Sequence, residues 1–215
     1  GFITLKKKTV EFNHHLIKKM LDVTSHRGPD EVKKIIGEQY AFGTNRLSIQ
    51  SLKEGQQPIE DESYIAGFNG EIFNYLELKK KYFNESNLKS EIALILALYK
   101  KLDANFIKTL KGQFAIYIYD KKNKKLLLFR DRMGISPIYY SFDKKNKSFI
   151  FASEIKAILK ISKNNHKLSK KAFAQTAMFW TTIGSQTAFE EISLLPFSHY
   201  IEINHNLKIS THRYE

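Results

Sequence analysis

The stretch that decides the fold is Tyr64-Ile65-Ala66-Gly67-Phe68-Asn69-Gly70-Glu71-Ile72. An apolar run, typical of a buried strand, ends there in an Asn-Gly pair, and an amphipathic stretch follows over Tyr75–Tyr82. Two interpretations of the pair are open. Asn and Gly both tolerate positive φ, which is typical of a turn. A Gly N–H and an Asn side-chain amide can also donate together to a developing negative charge, as in an oxyanion hole. Taken alone, the pair favours the turn.

Four further polar clusters surround this stretch and change that interpretation. They are His26-Arg27-Gly28-Pro29-Asp30, Thr44-Asn45-Arg46-Leu47-Ser48-Ile49, Arg130-Asp131-Arg132-Met133-Gly134-Ile135-Ser136-Pro137-Ile138-Tyr139-Tyr140 and Phe151-Ala152-Ser153-Glu154-Ile155-Lys156-Ala157. In their order and spacing, the five clusters resemble the class II glutamine amidotransferase domain of asparagine synthetase-like proteins. The resemblance extends from Gly1 to about Leu159, with a looser match to Tyr214.

Strand pairs joined by short turns occupy much of the second half of the chain. Gln113–Tyr119 alternates in side-chain character and is followed after a turn by Lys125–Arg130, while Pro137–Ser141 is followed by Ser148–Ala152. A helical spacing of apolar residues covers Glu11–Leu21. Antiparallel sheets covered by helices, an α+β fold, are therefore expected. The number of layers comes from the resemblance alone. It implies a four-layer αββα sandwich of the N-terminal-nucleophile hydrolase type, with the active site at one end of the paired sheets.

Further element boundaries follow from the same patterns. The sequence predicts two separate strands, Tyr40–Gly43 and Arg46–Ile49, around a turn, and a helix from an N-cap at Ser90 to Lys101. Residues 1–160 are predicted to form the amidotransferase domain. Residues 161–215 are predicted to be the C-terminal part of the same domain, leading to a synthetase domain that these residues do not contain.

Composition limits the class of protein. A chain of 215 residues, 42% of them hydrophobic, is long enough for one well-buried core. It has no cysteine, and its apolar runs are far shorter than the roughly 20 residues of a membrane span. A cytoplasmic protein without membrane contact is therefore expected. The net charge of +13 comes from lysines scattered over surface positions, so no nucleic-acid partner is expected.

Arginine is rare, and its placement is informative. Only five of the 35 basic residues are Arg, and four of these fall inside the clusters: Arg27, Arg46, Arg130 and Arg132. In a chain that otherwise uses Lys, Arg is expected where a planar fork with two parallel donors is required. The pattern supports a binding site, although pairing with structural carboxylates would produce it as well.

The resemblance assigns roles to individual residues. Asn69 and Gly70 match the oxyanion hole, and Arg46 matches the group that binds the glutamine carboxylate. The remaining substrate-binding positions are Leu47, Ile49 and Gln50 as pocket wall, Glu71 beside the substrate, and Glu91 at the substrate ammonium. Alternatives stay open for the two acids: Glu71 as a carboxylate that stabilises a turn, and Glu91 as a favourable acid in the first turn of a helix. No metal site is expected.

The nucleophile of the resembled family is an N-terminal Cys followed by Gly and an apolar residue. Gly1-Phe2-Ile3 matches the positions after that Cys, so a Cys directly before Gly1 is expected. A domain without this Cys would be a glutaminase-like scaffold without activity, and that alternative stays open.

The resemblance also implies partners. Glutamine is the expected substrate, and no cofactor is expected for its hydrolysis. The ammonia would pass to an ATP- and Mg-dependent synthetase domain, whose Ser-Gly-Gly-x-Asp-Ser loop does not occur in these residues. The acceptor, whether aspartate, a sugar or another molecule, is left open, and a homodimer is compatible with the resemblance.

Overall fold

A computed structural model describes residues 1–47, 55–84 and 88–215. Two short 3₁₀ turns lie at Ser25–Arg27 and Asp103–Thr109. The described helices are α1 (Val10–Asp22), α2 (Tyr75–Phe83), α3 (Glu91–Leu102), α4 (Ile155–Ile161) and α5 (Lys170–Phe179). The described strands are β1 (Phe2–Thr4), β2 (Glu31–Ile36), β3 (Tyr40–Arg46), β4 (Ile59–Glu60), β5 (Tyr64–Ile72), β6 (Gly112–Asp120), β7 (Lys125–Arg130), β8 (Tyr139–Asp143), β9 (Ser148–Ala152), β10 (Ser193–Leu194), β11 (His199–Ile203) and β12 (Ile209–Arg213).

The strands form two antiparallel sheets. Sheet A has the order β10-β8-β9-β1-β3-β2, and sheet B has the order β12-β11-β7-β6-β5-β4. The short N-terminal strand β1 therefore lies inside sheet A, between β9 and β3. In sheet B, β5 pairs with β6 along its whole length, whereas the two-residue β4 covers only a small part of its other edge.

Three hydrophobic clusters separate four layers. The first packs Ile17 and Met20 of α1 and Ile158 of α4 against sheet A. The second lies between the sheets, where Phe42 of β3 meets Tyr117 of β6. The third packs α3 against sheet B. The order helices, sheet A, sheet B, helices is the predicted αββα sandwich, so the fold class is confirmed. Among the described residues, no helix is both long enough and apolar enough to cross a membrane.

Helix α1 shows how the sequence sets one of these contacts. The Thr9 side chain caps it by accepting from the Phe12 N–H. Its buried apolar residues Ile17, Met20 and Leu21 pack against the sheet. The buried Asn13 donates from its amide to the carbonyls of Gly37 and Glu38 in the β2–β3 turn. The helix thus orients the hairpin whose far end carries Arg46.

One predicted boundary is wrong. Residues Tyr40–Arg46 form a single strand, not two strands around a turn, because Thr44 and Asn45 continue the pairing with β2. The polar Asn45 is tolerated in the strand since its amide donates to Leu21 O at the end of α1, at 2.8 Å. Of the rest of the predicted second strand, Leu47 lies beyond the end of β3, and Ser48 and Ile49 lie outside the described residues.

Residues 161–215 contribute strands to both sheets. β10 pairs with β8 at one edge of sheet A, while β11 and β12 extend sheet B beyond β7. Tyr214 also donates from its hydroxyl to the Arg130 carbonyl, at 2.7 Å. The predicted domain boundary near residue 160 stays a prediction.

Candidate functional site

A cavity of about 400 Å³ opens at the end of the sheets where β1 and β6 begin and β3, β5 and β9 end. Six of the predicted site residues line it, namely Arg46, Leu47, Asn69, Gly70, Glu71 and Glu91, and Gly1 lines it as well. The topology therefore brings together groups that are far apart in sequence. The other two predicted residues, Ile49 and Gln50, lie outside the described residues.

Gly1 is fixed in the ladder of sheet A. Its nitrogen donates to Phe151 O and its carbonyl accepts from Phe151 N, both at 2.9 Å. A Cβ at this position would lie 2.9 Å from the rings of Phe42 and Phe151, so the packing requires glycine. Burial lowers the pKa of the Gly1 α-amino group from 8.0 to about 4. Any group joined to this nitrogen is held at the cavity by the sheet.

Gly70 is the point where β5 departs from regular strand geometry. Its φ is +137°, and an added Cβ would lie 1.9 Å from the carbonyl oxygen of Gln113 on β6. Gly70 is paired with Phe114 of β6. The Phe114 N–H donates to the Asp131 carboxylate, and the Phe114 carbonyl accepts the Asp131 N–H, so both backbone groups of Phe114 point away from β5. The Gly70 N–H accordingly belongs to the edge of β5 opposite β6.

The neighbouring N–H groups on that edge are taken by side chains. Phe68 N donates to Gln57 Oε1, and Ile72 N donates to Glu91 Oε1, both at 2.6 Å. Because strand residues two apart point the same way, Gly70 lies between these two donors on the same edge. The Asn69-Gly70 pair, for which a turn was the simpler interpretation, thus lies inside a strand whose edge faces the cavity.

Glu91 lies in the first turn of α3, as predicted, but its carboxylate contacts another element. It accepts the Ile72 N–H of β5, and Glu71 lies close enough to repel it electrostatically. Burial raises the pKa of the Glu91 carboxyl, the Ile72 hydrogen bond opposes that shift, and the Glu71 charge adds to it. Two carboxyl groups therefore share one wall of the cavity, an arrangement that favours a bound cation.

Arg46 ends β3 on the opposite wall. The residue is 8% exposed, and its Nη1 lies 3.3 Å from Glu31 Oε2, so the structural ion pair that was the alternative to substrate binding does form. Arg46 also lines the cavity, as does Arg27. Gly28 lets the loop approach, because a Cβ there would lie 2.5 Å from the Arg46 backbone. Arg46 is thus in a position to serve both contacts.

The polar cluster around Arg130 supports the fold. Arg130 donates to the carbonyls of Gly134, Ser136 and Leu195. The buried Asp131 accepts the backbone N–H groups of Phe114, Met133, Ile135 and Ser136. Arg130 and Asp131 therefore hold the turn after β7 through buried polar contacts.

Gln57 and Tyr117 are among the residues of the cavity wall that sequence reasoning missed. Gln57 is 9% exposed, and its side chain binds the backbone of β5. Tyr117 on β6 is buried between the sheets, and this burial raises the pKa of its hydroxyl. Neither carries a local signal: Gln57 precedes a proline in a polar segment, and Tyr117 has the alternation of a core strand.

Among the described residues, no three His, Cys, Asp or Glu side chains come together as a metal site.

Comparison with known families assigns this architecture. The sequence model of a family described as "Glutamine amidotransferase domain" matches residues 1–215. The chain belongs to this family. Glutamine amidotransferase domains of similar sequence occur in curated proteins named as glutamine-hydrolysing asparagine synthetases. Asparagine synthetase 2 of Bacillus subtilis is 35% identical over 213 residues, which are 95% of this chain and 28% of that protein. Asparagine synthetase B of Escherichia coli is 30% identical over 191 residues, which are 86% of this chain and 33% of that protein.

A solved structure supports the fold of the amidotransferase domain. The glutamine phosphoribosylpyrophosphate amidotransferase of B. subtilis, in complex with ADP and GMP, superposes with a TM-score of 0.68 at 15% identity. The match covers 100% of this chain and 48% of that one. At this identity the likeness concerns the fold alone. The chain spans only about a quarter to a third of the length of its curated relatives.

Proposed function

We propose that this domain hydrolyses glutamine to glutamate and ammonia at the cavity that joins Gly1, Arg46, Asn69, Gly70 and Glu91. The observation that carries the proposal is the convergence of these residues on one cavity. Membership of the glutamine amidotransferase family supports the substrate class. The roles of the individual residues are part of the same proposal.

The charges of the cavity match an α-amino acid. Arg46 comes from sheet A, while Glu71 and Glu91 come from β5 and α3 on the side of sheet B. A zwitterion needs a cationic group for its carboxylate and an anionic group for its ammonium. Arg46 would bind the α-carboxylate and Glu91 the α-ammonium, with Glu71 beside it. The raised pKa of the Glu91 carboxyl fits an acid whose charge is favoured when a cation arrives.

The chemistry we propose uses a Cys joined to the Gly1 nitrogen. Its thiol attacks the side-chain carbonyl carbon of glutamine, and its α-amine takes the thiol proton and delivers it to the leaving nitrogen. The negative charge on the carbonyl oxygen would be stabilised by the Asn69 amide and the Gly70 N–H. Collapse of this intermediate releases ammonia and leaves a thioester. Water then attacks the thioester, which releases glutamate and restores the thiol.

The larger enzyme is proposed from the names of the relatives. Ammonia from this domain would serve an ATP- and Mg-dependent synthetase domain of the same protein, with aspartate as the leading acceptor. No cofactor is assigned to the hydrolytic step itself. A cytoplasmic location and a homodimeric assembly stay predictions.

The test uses the full-length protein expressed from its own coding sequence and freshly reduced. We expect glutamate to appear from glutamine, a thiol alkylator to abolish this activity, and mass spectrometry to find the label on the residue joined to Gly1. Protection of that residue by glutamine would support binding in the cavity. A reduced, folded protein that releases no glutamate, with no thiol joined to Gly1, would instead establish the scaffold alternative.

A further inference from the structure

The outer edge of β5 is completed by a side chain where the neighbouring strand does not reach. β4 pairs with β5 through Ile59 opposite Ala66 and Glu60 opposite Ile65. Continued toward the cavity, this antiparallel register places Pro58 opposite Gly67 and residue 57 opposite Phe68. In a regular continuation the main-chain carbonyl of residue 57 would accept the Phe68 N–H, but the pairing of β4 with β5 ends at Ile59.

Gln57 provides the missing acceptor through its side chain. Its Oε1 accepts the Phe68 N–H at 2.6 Å, and the residue is 9% exposed. A buried backbone N–H without a partner is strongly disfavoured. This hydrogen bond therefore fixes the position of the β5 backbone at Phe68. Gln57 also lines the cavity, and its contact on β5 is one residue from Asn69.

The contact of Gln57 with Phe68 bears on the oxyanion-binding pair, which comes next along β5. Glu91 holds the next-but-one donor on the same edge, at Ile72. The segment that carries Asn69 and Gly70 is therefore held at both ends by side-chain oxygens, with the Gly70 N–H between them. Glu91 is also a candidate ligand of the substrate ammonium. The hydrogen bond described for the Gln57 side chain, in contrast, is to the backbone of β5.

We propose that Gln57 is a positioning residue for glutamine hydrolysis, which sets the place of the oxyanion-binding pair Asn69 and Gly70 by holding the Phe68 N–H. The inference rests on the proposed function. Positioning of this kind affects the transition state more than the bound substrate, because the oxyanion forms only during the reaction. Displacements of about 1 Å in such sites can lower rates by about a hundredfold.

The test compares Gln57→Met with Gln57→Glu in the full-length protein. Met has a similar length without the acceptor oxygen, whereas Glu keeps that oxygen. For Gln57→Met we expect kcat for glutamine hydrolysis to fall about tenfold or more, with KM within about twofold of the wild type. Amide hydrogen exchange of peptides covering residues 64–73 should become faster. Gln57→Glu should restore most of kcat and of the exchange protection.

A matched control is Gln39→Met. Gln39 also uses its amide for hydrogen bonds, to Leu5 O and from Lys124 Nζ, but it lies outside the cavity wall. Its variant should leave kcat and exchange at residues 64–73 unchanged. If Gln57→Met does not fold, Gln57→Asn, whose oxygen is one methylene short, provides the same comparison.

The outcomes separate the two proposals. A wild-type protein that does not hydrolyse glutamine overturns the proposed function, and the inference falls with it. An active wild type with unchanged kcat in folded Gln57→Met overturns the inference alone. A rise in KM with unchanged kcat would also overturn it, because Gln57 would then contribute to substrate binding and not to positioning.

Discussion

Replacing Gly70 by Ala tests the strained geometry of β5 most directly. An L-residue held at a φ of +137° costs about 1–3 kcal/mol. The new Cβ would lie 1.9 Å from Gln113 O, roughly 1 Å closer than real Cβ contacts allow. Relief requires β5 and β6 to separate locally, at the expense of about two ladder hydrogen bonds worth about 1 kcal/mol each. We therefore expect the free energy of unfolding to fall by about 3–5 kcal/mol.

Gly184→Ala is the matched control for this substitution. Gly184 also has positive φ, +71°, but no atom lies within 4 Å of its added Cβ. Only the backbone penalty applies there, about 1 kcal/mol. Urea denaturation of both variants and the wild type, fitted with a common slope, measures the difference. Equal losses in the two variants would refute the reasoning, because the contact between residue 70 and the Gln113 carbonyl would then carry no energy.

Three further predictions concern the cavity. Arg46→Lys should lower kcat/KM for glutamine at least tenfold, because the two-donor fork of the guanidinium is lost. Glu31→Gln should not lower it. Equal losses in steady-state assays of the two variants would indicate that the Arg46–Glu31 pair is only structural. Asn69→Ala should lower kcat about a hundredfold with little change in KM, and an unchanged kcat would remove Asn69 from the oxyanion hole. In a chain whose Gly1 amine is free, the pKa of that amine is about 4 in the folded state, below its ordinary value of 8.0. Between these two pH values the unfolded state binds more protons than the folded state. The free energy of unfolding therefore decreases as the pH falls from 8 to 4. The loss should be about 1.4 kcal/mol per pH unit, and acetylation of the amine should abolish this difference in urea denaturation at pH 5 and pH 7.

The elements that periodicity predicted best are those whose packing is regular. The helix predicted at Glu11–Leu21 forms as α1, and the strand pairs β6–β7 and β8–β9 form as predicted, because one face of each meets a continuous apolar layer. The strand ending at Arg46 was divided wrongly. Its polar residues Thr44 and Asn45 have the composition of a turn, and only the carbonyl at the end of α1 makes Asn45 acceptable in a strand. Such a partner, 24 residues away, leaves no local signal.

The sequence predicted which residues form the candidate site, but not which hydrogen bonds these residues make. The positions of Arg46, Asn69, Gly70 and Glu91 followed from the resemblance, and the structure places all four on one cavity. That the Glu91 carboxylate accepts a strand N–H could not be predicted, because the first turn of a helix explains an acid equally well. The contact of Gln57 depends on a strand register that ends two residues away, which composition does not encode.

The division of charge between the two sheets explains why the site depends on the whole fold. Sheet A brings Arg46 to the cavity and sheet B brings Glu71, and the aromatic contacts of Phe42 with Tyr117 lie between the sheets. Any change in the separation of the sheets therefore changes the distance between the groups proposed to bind the carboxylate and the ammonium. An α-amino acid has a fixed distance between these two charges. A close-packed aromatic core keeps the sheets at one spacing, since such interiors resist compression, and under the proposed function this spacing would match that class of substrate.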